Sequence, residues 1–139
     1  MRKLMQIAED AGISVEYCKL PLNESITVQD DDGDVVLMDT SLAGEGANER
    51  VHLAHEIGHS MTGAFYNPYT PLDIRAKHEY RADKWAVKQL ISREELHEAM
   101  AEGYTEIWSL AEYFNVTEDF MKMAVCWYTY GNLSAELYF

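Results

Sequence analysis

The segment RVHLAHEIGHSMTG, residues 50–63, restricts the possible folds more than any other part of the sequence. It places His55 and His59 four residues apart, with Glu56 between them. On an α-helix, residues four apart point in the same direction about one turn apart, so both imidazoles could hold one small cation. The segment therefore predicts a helix that presents two metal ligands on one face.

A second helical segment, HEYRADKWAVKQL, offers a third ligand. A third is needed because a catalytic zinc ion usually takes three ligands from the protein and leaves a fourth position for water. On a helical wheel the acidic and the basic residues of this segment separate onto two faces. One face holds Glu79, Ala82, Asp83, Ala86 and Leu90, and the opposite face holds Lys77, Arg81, Lys84 and Lys88.

The two carboxylates on the inner face require compensation, because burying an unpaired carboxylate is very costly. We predict that Glu79 is the third metal ligand and that Asp83 accepts the free N–H of a ligand histidine. The separation of 20 residues between His59 and Glu79 (79 − 59) is enough for one loop and a returning helix. The alternative is a buried salt bridge between one of these acids and Arg50 or Arg75.

This set of side chains favours hydrolysis of peptide bonds. Zinc held by neutral imidazoles lowers the pKa of a bound water towards ~7. A carboxylate beside the ion, here Glu56, can take the proton of that water and pass it to a leaving amine. The alternative is that His55 and His59 are surface histidines, since so short a motif also arises by chance.

The sequences LAHEIGH and EYRADKWA together resemble the ImmA/IrrE family of metallopeptidases. In that family an HExxH helix is followed by a Glu-x-x-Ala-Asp/Asn-x-aromatic-Ala helix, and the ligand order also resembles the thermolysin-like gluzincins. The resemblance implies that His55, His59 and Glu79 bind Zn²⁺ and that Glu56 is the general base. Asp83 matches a family position that holds Asp or Asn.

The resemblance also implies a biological role. It points to a zinc endopeptidase, encoded on a phage or an integrative element, that cleaves a helix-turn-helix repressor and so releases the element from silence. Trp85 stands where many members of the family have Phe, a change that we interpret as core packing. The alternative from another class is a non-catalytic, metal-containing regulator that acts by binding a transcription factor.

Other side chains near the motif are candidates for further roles. His52 extends the run to HxxHExxH, but it lies one turn too far along the helix to share the cation, so we expect a partly exposed histidine. His78, Tyr66 and Tyr69 are candidates for stabilising the oxyanion, as is His97 in the acidic tail. The sequence does not distinguish among these four.

The charge of the chain argues against contact with nucleic acids or anionic membranes. Lys and Arg number 11 against 24 Asp and Glu, which gives a formal net charge of -13. The tail has the spacing of a helix-turn-helix, and DNA binding through it is a third, weaker hypothesis. Residues 92–139 carry nine acidic and two basic residues, a net charge of -7 that repels phosphate. We therefore expect a basic protein partner.

The sequence predicts a cytoplasmic protein. Polar residues interrupt the apolar positions near the N-terminus, unlike the uniform apolar run of a signal peptide. No stretch approaches the roughly 18 apolar residues of a membrane helix. Cys18 and Cys126 lack metal-ligand spacing, so we expect both to be reduced.

The pattern of the whole chain predicts one α+β, zincin-like domain over residues 1–139. We divide it into a catalytic core at 1–91 and a helical C-terminal subregion at 92–139. The core is expected to hold a small antiparallel or mixed sheet, in which an Asp-Gly turn joins the two arms of a hairpin. The second arm, Val35–Asp39, is the strand that we expect to offer an exposed edge to an extended substrate.

Capping signals predict the helix boundaries. The motif helix is expected from about residue 49 to 61, capped by Asn48 and closed by Gly63, and the next from about 74 to 91. Ser92 and Glu95 form a capping box that begins the tail, and a tight turn at Asn115 separates its last two helices.

Overall fold

The computed structural model describes residues 1–139 and has an α+β architecture, as the sequence predicts. Six α-helices accompany a three-stranded mixed sheet. The strands are β1 (Ser14–Cys18), β2 (Ser25–Val28) and β3 (Val35–Asp39). The helices are α1 (Arg2–Asp10), α2 (Ala47–Thr62), α3 (Leu72–Leu90), α4 (Arg93–Ala101), α5 (Ile107–Phe114) and α6 (Glu118–Tyr130), with short 3-10 turns at Thr40–Leu42 and Ala135–Leu137. None of these helices is long and apolar enough to cross a membrane.

The chain forms two compact units, Met1–Ala86 and Val87–Phe139. The first unit contains the sheet, α1, α2 and most of α3. The second contains α4, α5 and α6. The prediction of one functional domain with a boundary near residue 91 stays a prediction.

The sheet has the strand order β1-β3-β2, so β3 is its central strand. Strand β3 pairs in parallel with β1 and antiparallel with β2. The antiparallel pairing of β2 with β3 confirms the predicted hairpin. Val36 and Met38 of β3 are fully buried, so the strand with the most apolar inner face takes the central position. The prediction that Val35–Asp39 exposes an edge is therefore wrong. The open edges belong to β1 and β2.

Two glycines set the bounds of α2. Gly46 has a positive φ of 60° and occupies the N-cap, so the helix begins at Ala47. Asn48 lies inside the first turn, and the prediction that it caps the helix is wrong, because the preceding glycine turns the chain earlier. Gly63 is left-handed and ends the helix, as predicted, by donating its N–H to carbonyls of the last turn.

Helices α2 and α3 approach each other closely at Gly58. A Cβ built at Gly58 would lie 2.7 Å from the carbonyl oxygen of Ala82. Ala82 and Ala86 of α3 are fully buried, as are Leu53 and Ile57 of α2. Small residues on both sides therefore let the two backbones touch, and this contact fixes the distance between the side chains that the two helices carry.

The second unit begins as the capping signals predict. Ser92 and Glu95 form the capping box of α4, and Asn115 ends α5 in a left-handed conformation. Phe120 and Met121 of α6 are buried. This unit therefore has a small helical core of its own.

Candidate metal centre

Helix α2 presents two imidazoles on one face, and α3 presents a carboxylate to both. The two Nε2 atoms of His55 and His59 lie 3.1 Å apart. Glu79 Oε2 lies 2.8 Å from His55 Nε2, and Glu79 Oε1 lies 3.1 Å from His59 Nε2. The structure thus brings together the three residues predicted as ligands, in a group that could hold a metal ion.

The remaining ring nitrogens of both histidines are held by hydrogen bonds. His55 Nδ1 lies 2.7 Å from Asp83 Oδ1, one helical turn beyond Glu79 on α3. His59 Nδ1 lies 2.6 Å from the carbonyl oxygen of Ala64, which the left-handed turn at Gly63 brings back towards the helix. Because an Nδ1–H donated to oxygen leaves Nε2 as the free lone pair, both rings point their acceptor atoms at the same place.

The electrostatics of the cluster follow from these contacts. Burial lowers the pKa of His55, but hydrogen bonds to Asp83 and Glu79 outweigh it and raise this pKa to about 10. Burial also lowers the pKa of His59, but the hydrogen bond to Glu79 acts against it, and this pKa is raised. Burial raises the pKa of Glu79, but hydrogen bonds from both histidines lower it well below its usual range. The two acids thus require positive charge beside them, which either protons on the imidazoles or a metal cation can supply.

The spacing of the three donors suits a tetrahedral ion. Ligand atoms about 2.0–2.1 Å from a tetrahedral zinc are separated by roughly 3.3 Å. The observed separations of 2.8, 3.1 and 3.1 Å are close to that value. Donor types, ring orientations and spacing therefore fit an ion held by His55, His59 and Glu79.

Glu56 lies in the same cleft and is only 6% exposed. Its Oε1 lies 2.7 Å from Thr27 Oγ1 and its Oε2 lies 2.8 Å from Ser25 Oγ, both on β2. Thr27 Oγ1 also lies 2.8 Å from the Glu56 main-chain oxygen. Sequence reasoning missed Ser25 and Thr27. The signal was the strand SITV, in which hydroxyl residues alternate with apolar ones.

His52 lies outside the cluster of three donors. Its Nε2 lies 2.7 Å from Glu24 Oε2 and its Nδ1 lies 2.8 Å from Ser25 Oγ. Its side chain is 27% exposed. The ring of His52 thus contacts Glu24 and Ser25, at the start of β2, rather than His55.

The candidates for oxyanion stabilisation occupy different positions. Tyr66 lies in the cleft, and its hydroxyl donates to Glu79 Oε1 at 2.8 Å. Tyr69 is 95% exposed. The ring of His78 stacks on the ring of Tyr66, with 6.2 Å between the ring centroids. The Nδ1 atom of His78 is buried and lacks a hydrogen-bond partner. His97 belongs to α4 of the second unit. Tyr66 is therefore the candidate that the structure places beside the cluster.

The cleft that contains these groups has a volume of about 840 Å³. Residues 22–27, which include most of β2, form one wall, and residues 64–68 form the other. Helix α2 forms its floor with His55, Glu56 and His59. The cleft thus brings β2 to the same space as the candidate metal ligands.

Comparison with known families gives one match. A family model described as Peptidase_M78, the IrrE N-terminal-like domain, matches residues 8–125. A comparison with curated proteins finds no match. The matched range covers the sheet, the two helices of the metal centre and most of the second unit.

Proposed function

Because the chain belongs to the IrrE N-terminal-like family, Peptidase_M78, we propose that it is a zinc-dependent endopeptidase acting on a protein substrate. The observation that carries the proposal is the convergence of His55, His59 and Glu79 in a cleft that also holds Glu56. Family membership supports a metallopeptidase. The choice of ion and substrate is inferred below from the chemistry of the cleft.

Zinc is favoured by the type of donor atoms. Two imidazole nitrogens and one carboxylate oxygen match the ligand sets of hydrolytic zinc sites, which keep one position open. Calcium and magnesium prefer oxygen ligands alone. The hydrogen bonds on both Nδ1 atoms support this choice, because they orient the two Nε2 atoms towards one position.

The proposed mechanism assigns a role to each group in the cleft. Zinc, when bound, supplies Lewis acidity and lowers the pKa of a coordinated water towards ~7. Glu56 accepts a proton from the attacking water and then donates it to the leaving amine. Burial and the hydrogen bond to Glu79 raise the pKa of Tyr66 to about 12, so its hydroxyl keeps its proton and can donate to the developing oxyanion.

The substrate strand is proposed to pair with β2, the edge strand beside the cleft. The amide of Asp39 donates to the carbonyl of Glu24 at 2.7 Å, so the main-chain groups of Glu24 and Ile26 face β3. Those of Ser25 and Thr27 then face the open edge. An extended peptide can add to this edge through main-chain hydrogen bonds, which leaves sequence preference to side-chain pockets.

The charge of the cleft favours a basic substrate. Four carboxylates line it against the single guanidinium of Arg75, and the whole chain has a formal charge of -13. An acidic cleft attracts cationic partners and accelerates their encounter. We therefore propose that the substrate is a basic helix-turn-helix repressor, encoded with this protein on a phage or mobile element and cleaved in the cytoplasm.

The test is to incubate the purified protein with the repressor encoded beside its gene and to identify fragments by mass spectrometry. Cleavage should require zinc and should be lost in Glu56→Gln, whereas magnesium alone should not restore it. A stable complex without fragments would favour the non-catalytic regulator instead. If neither fragments nor a complex formed, the repressor would be rejected as the substrate.

A further inference from the structure

Strand β2 has its polar side chains inward and its apolar side chains outward. Ser25 and Thr27 are partly buried against α2, whereas Ile26 and Val28 are 38% and 42% exposed. A strand with one buried face normally does the reverse. The inversion has a local cause, since the buried carboxylate of Glu56 needs hydrogen-bond donors. Ser25 donates to its Oε2, and the hydroxyl of Thr27 is shared between Oε1 and the Glu56 main-chain oxygen.

A chain of hydrogen bonds continues from Ser25 away from the metal centre. Glu24 Oε2 lies 2.7 Å from His52 Nε2, and His52 Nδ1 lies 2.8 Å from Ser25 Oγ. Ser25 Oγ in turn lies 2.8 Å from Glu56 Oε2. The four groups thus form one continuous line from the mouth of the cleft to the proposed general base.

The number of hydrogens fixes the direction of this line. The hydroxyl of Ser25 carries one hydrogen, which it donates to Glu56. The contact with His52 Nδ1 is then a hydrogen bond only if the ring donates and Ser25 accepts. His52 therefore donates from Nδ1 to Ser25, and its Nε2 lies 2.7 Å from Glu24 Oε2.

We propose that Ser25 is a positioning residue for Glu56, and that His52, held by Glu24, directs the Ser25 hydroxyl towards the Glu56 carboxylate. The effect on turnover rests on the proposed peptidase function, but the hydrogen-bond coupling does not. Glu56 carries three rotatable side-chain bonds, and a donor on each oxygen limits it to one orientation. The line also gives His52 a role that requires no contact with the ion.

The first experiment measures coupling without any substrate. Unfolding by urea is followed for the purified full chain in one buffer, for Ser25→Ala, Glu56→Ala and the double variant. Loss of a hydrogen bond to a charged group should make Ser25→Ala raise the unfolding constant roughly 10- to 100-fold. The same substitution in the Glu56→Ala background should have a much smaller effect. Equal effects in both backgrounds would overturn the proposal.

The second experiment uses conservative replacements and separates turnover from binding. Ser25→Thr keeps the hydroxyl and should retain most of the turnover that Ser25→Ala loses. His52→Asn places an amide N–H near the position of Nδ1, and it should retain more kcat than His52→Ala. Zinc affinity and KM should stay within about 2-fold of the wild-type values in all four variants. If both members of a pair behave alike, or if zinc affinity falls with kcat, Ser25 and His52 do not act through Glu56.

A failure of the peptidase proposal would look different. In that case no variant and no wild-type sample would cleave the repressor, while the unfolding cycle would still report the coupling between Ser25 and Glu56. Coupling without cleavage would leave the hydrogen-bond line intact and reject the substrate. Cleavage without coupling would support the repressor as the substrate and overturn the proposed hydrogen-bond line.

Discussion

Replacing Gly58 by alanine should weaken the metal centre without touching any of its donors. The added Cβ would lie 2.7 Å from the carbonyl oxygen of Ala82, where ordinary contact begins at 3.4 Å. The two helices must therefore separate by about 0.7 Å at this point, or tilt by an equivalent amount. Functional metal–ligand distances tolerate about 0.2 Å. Since Glu79 is carried by α3 and both histidines by α2, zinc affinity should fall by about 10-fold or more.

The effect of Gly58→Ala on stability has two opposing parts. Alanine in a helix interior is favoured over glycine by about 1 kcal/mol. Overpacking against a backbone costs about 1–3 kcal/mol. The net loss should therefore be no more than about 2 kcal/mol, which lowers Tm by several degrees in a chain of this size.

Zinc affinity would be measured by competition with a chromophoric chelator, and Tm by differential scanning fluorimetry. The matched control is Ala76→Gly on the exposed side of α3, which should cost about 1 kcal/mol of stability but leave zinc affinity unchanged. If Gly58→Ala melts higher than the wild type and binds zinc equally well, the close approach of the helices does not set the geometry of the site.

The remaining predictions concern the proposed metal ligands, the proposed general base Glu56, the carboxylate of Asp39 that caps the 3-10 turn at Thr40–Leu42, and the protein partner. The wild type should bind about one zinc, measured by elemental analysis, and Glu79→Ala should lower its affinity markedly, whereas His52→Ala should leave it nearly intact. Glu56→Gln should retain zinc while cleavage, followed by mass spectrometry, falls by about 10² to 10⁴. Hydrogen bonding to Ser41 and to a backbone amide lowers the pKa of Asp39 from 3.8 to about 2. Its contribution to stability is therefore present above pH 3.8 and lost as the pH falls towards 2, so acid unfolding of Asp39→Asn should depend less on pH in this window. Finally, the complex between Glu56→Gln and a basic repressor should weaken as the salt concentration rises from low to physiological, which calorimetry would measure. A Kd that does not change with salt would refute electrostatic steering.

The arrangement of the metal centre was predictable because it depends on local spacing. The helical period alone puts His55 and His59 on one face, and the separation of acidic from basic residues orients Glu79 and Asp83 inward. The hairpin was predictable for the same reason, since an Asp-Gly turn joins neighbouring strands. The structure brings these groups together as expected, and their roles in binding and catalysis stay predictions.

The order of the strands was not predictable in this way. Alternation along a strand shows which side chains face inward, but it does not show which strand takes the centre of a sheet. That position follows from the parallel pairing of β1 with β3, a contact between segments 21 residues apart in register (35 − 14). Likewise, the start of α2 depends on Gly46, whose φ of 60° is one of many values that a residue without a Cβ can adopt.

The inward hydroxyls of β2 were missed for a different reason. Ser25 and Thr27 are ordinary residues in an edge strand, and only their partner makes them functional candidates. A sequence pattern identifies Glu56 by its neighbours on the helix, whereas its hydrogen-bond donors lie about 30 residues earlier. Contacts of this kind become visible only when the fold is known.

The two walls of the cleft also bear on how such a protein can diversify. The donors are carried by helices, but parts of the cleft rims are short segments outside them, at residues 22–23 and 67–68. Leu22, on one rim, is 90% exposed, so it can be exchanged with little effect on the core. Mutations that alter substrate preference can therefore accumulate on the rims while the helices that carry the candidate ligands stay unchanged. A library randomised at these two segments would be a practical route to variants that cut a chosen protein.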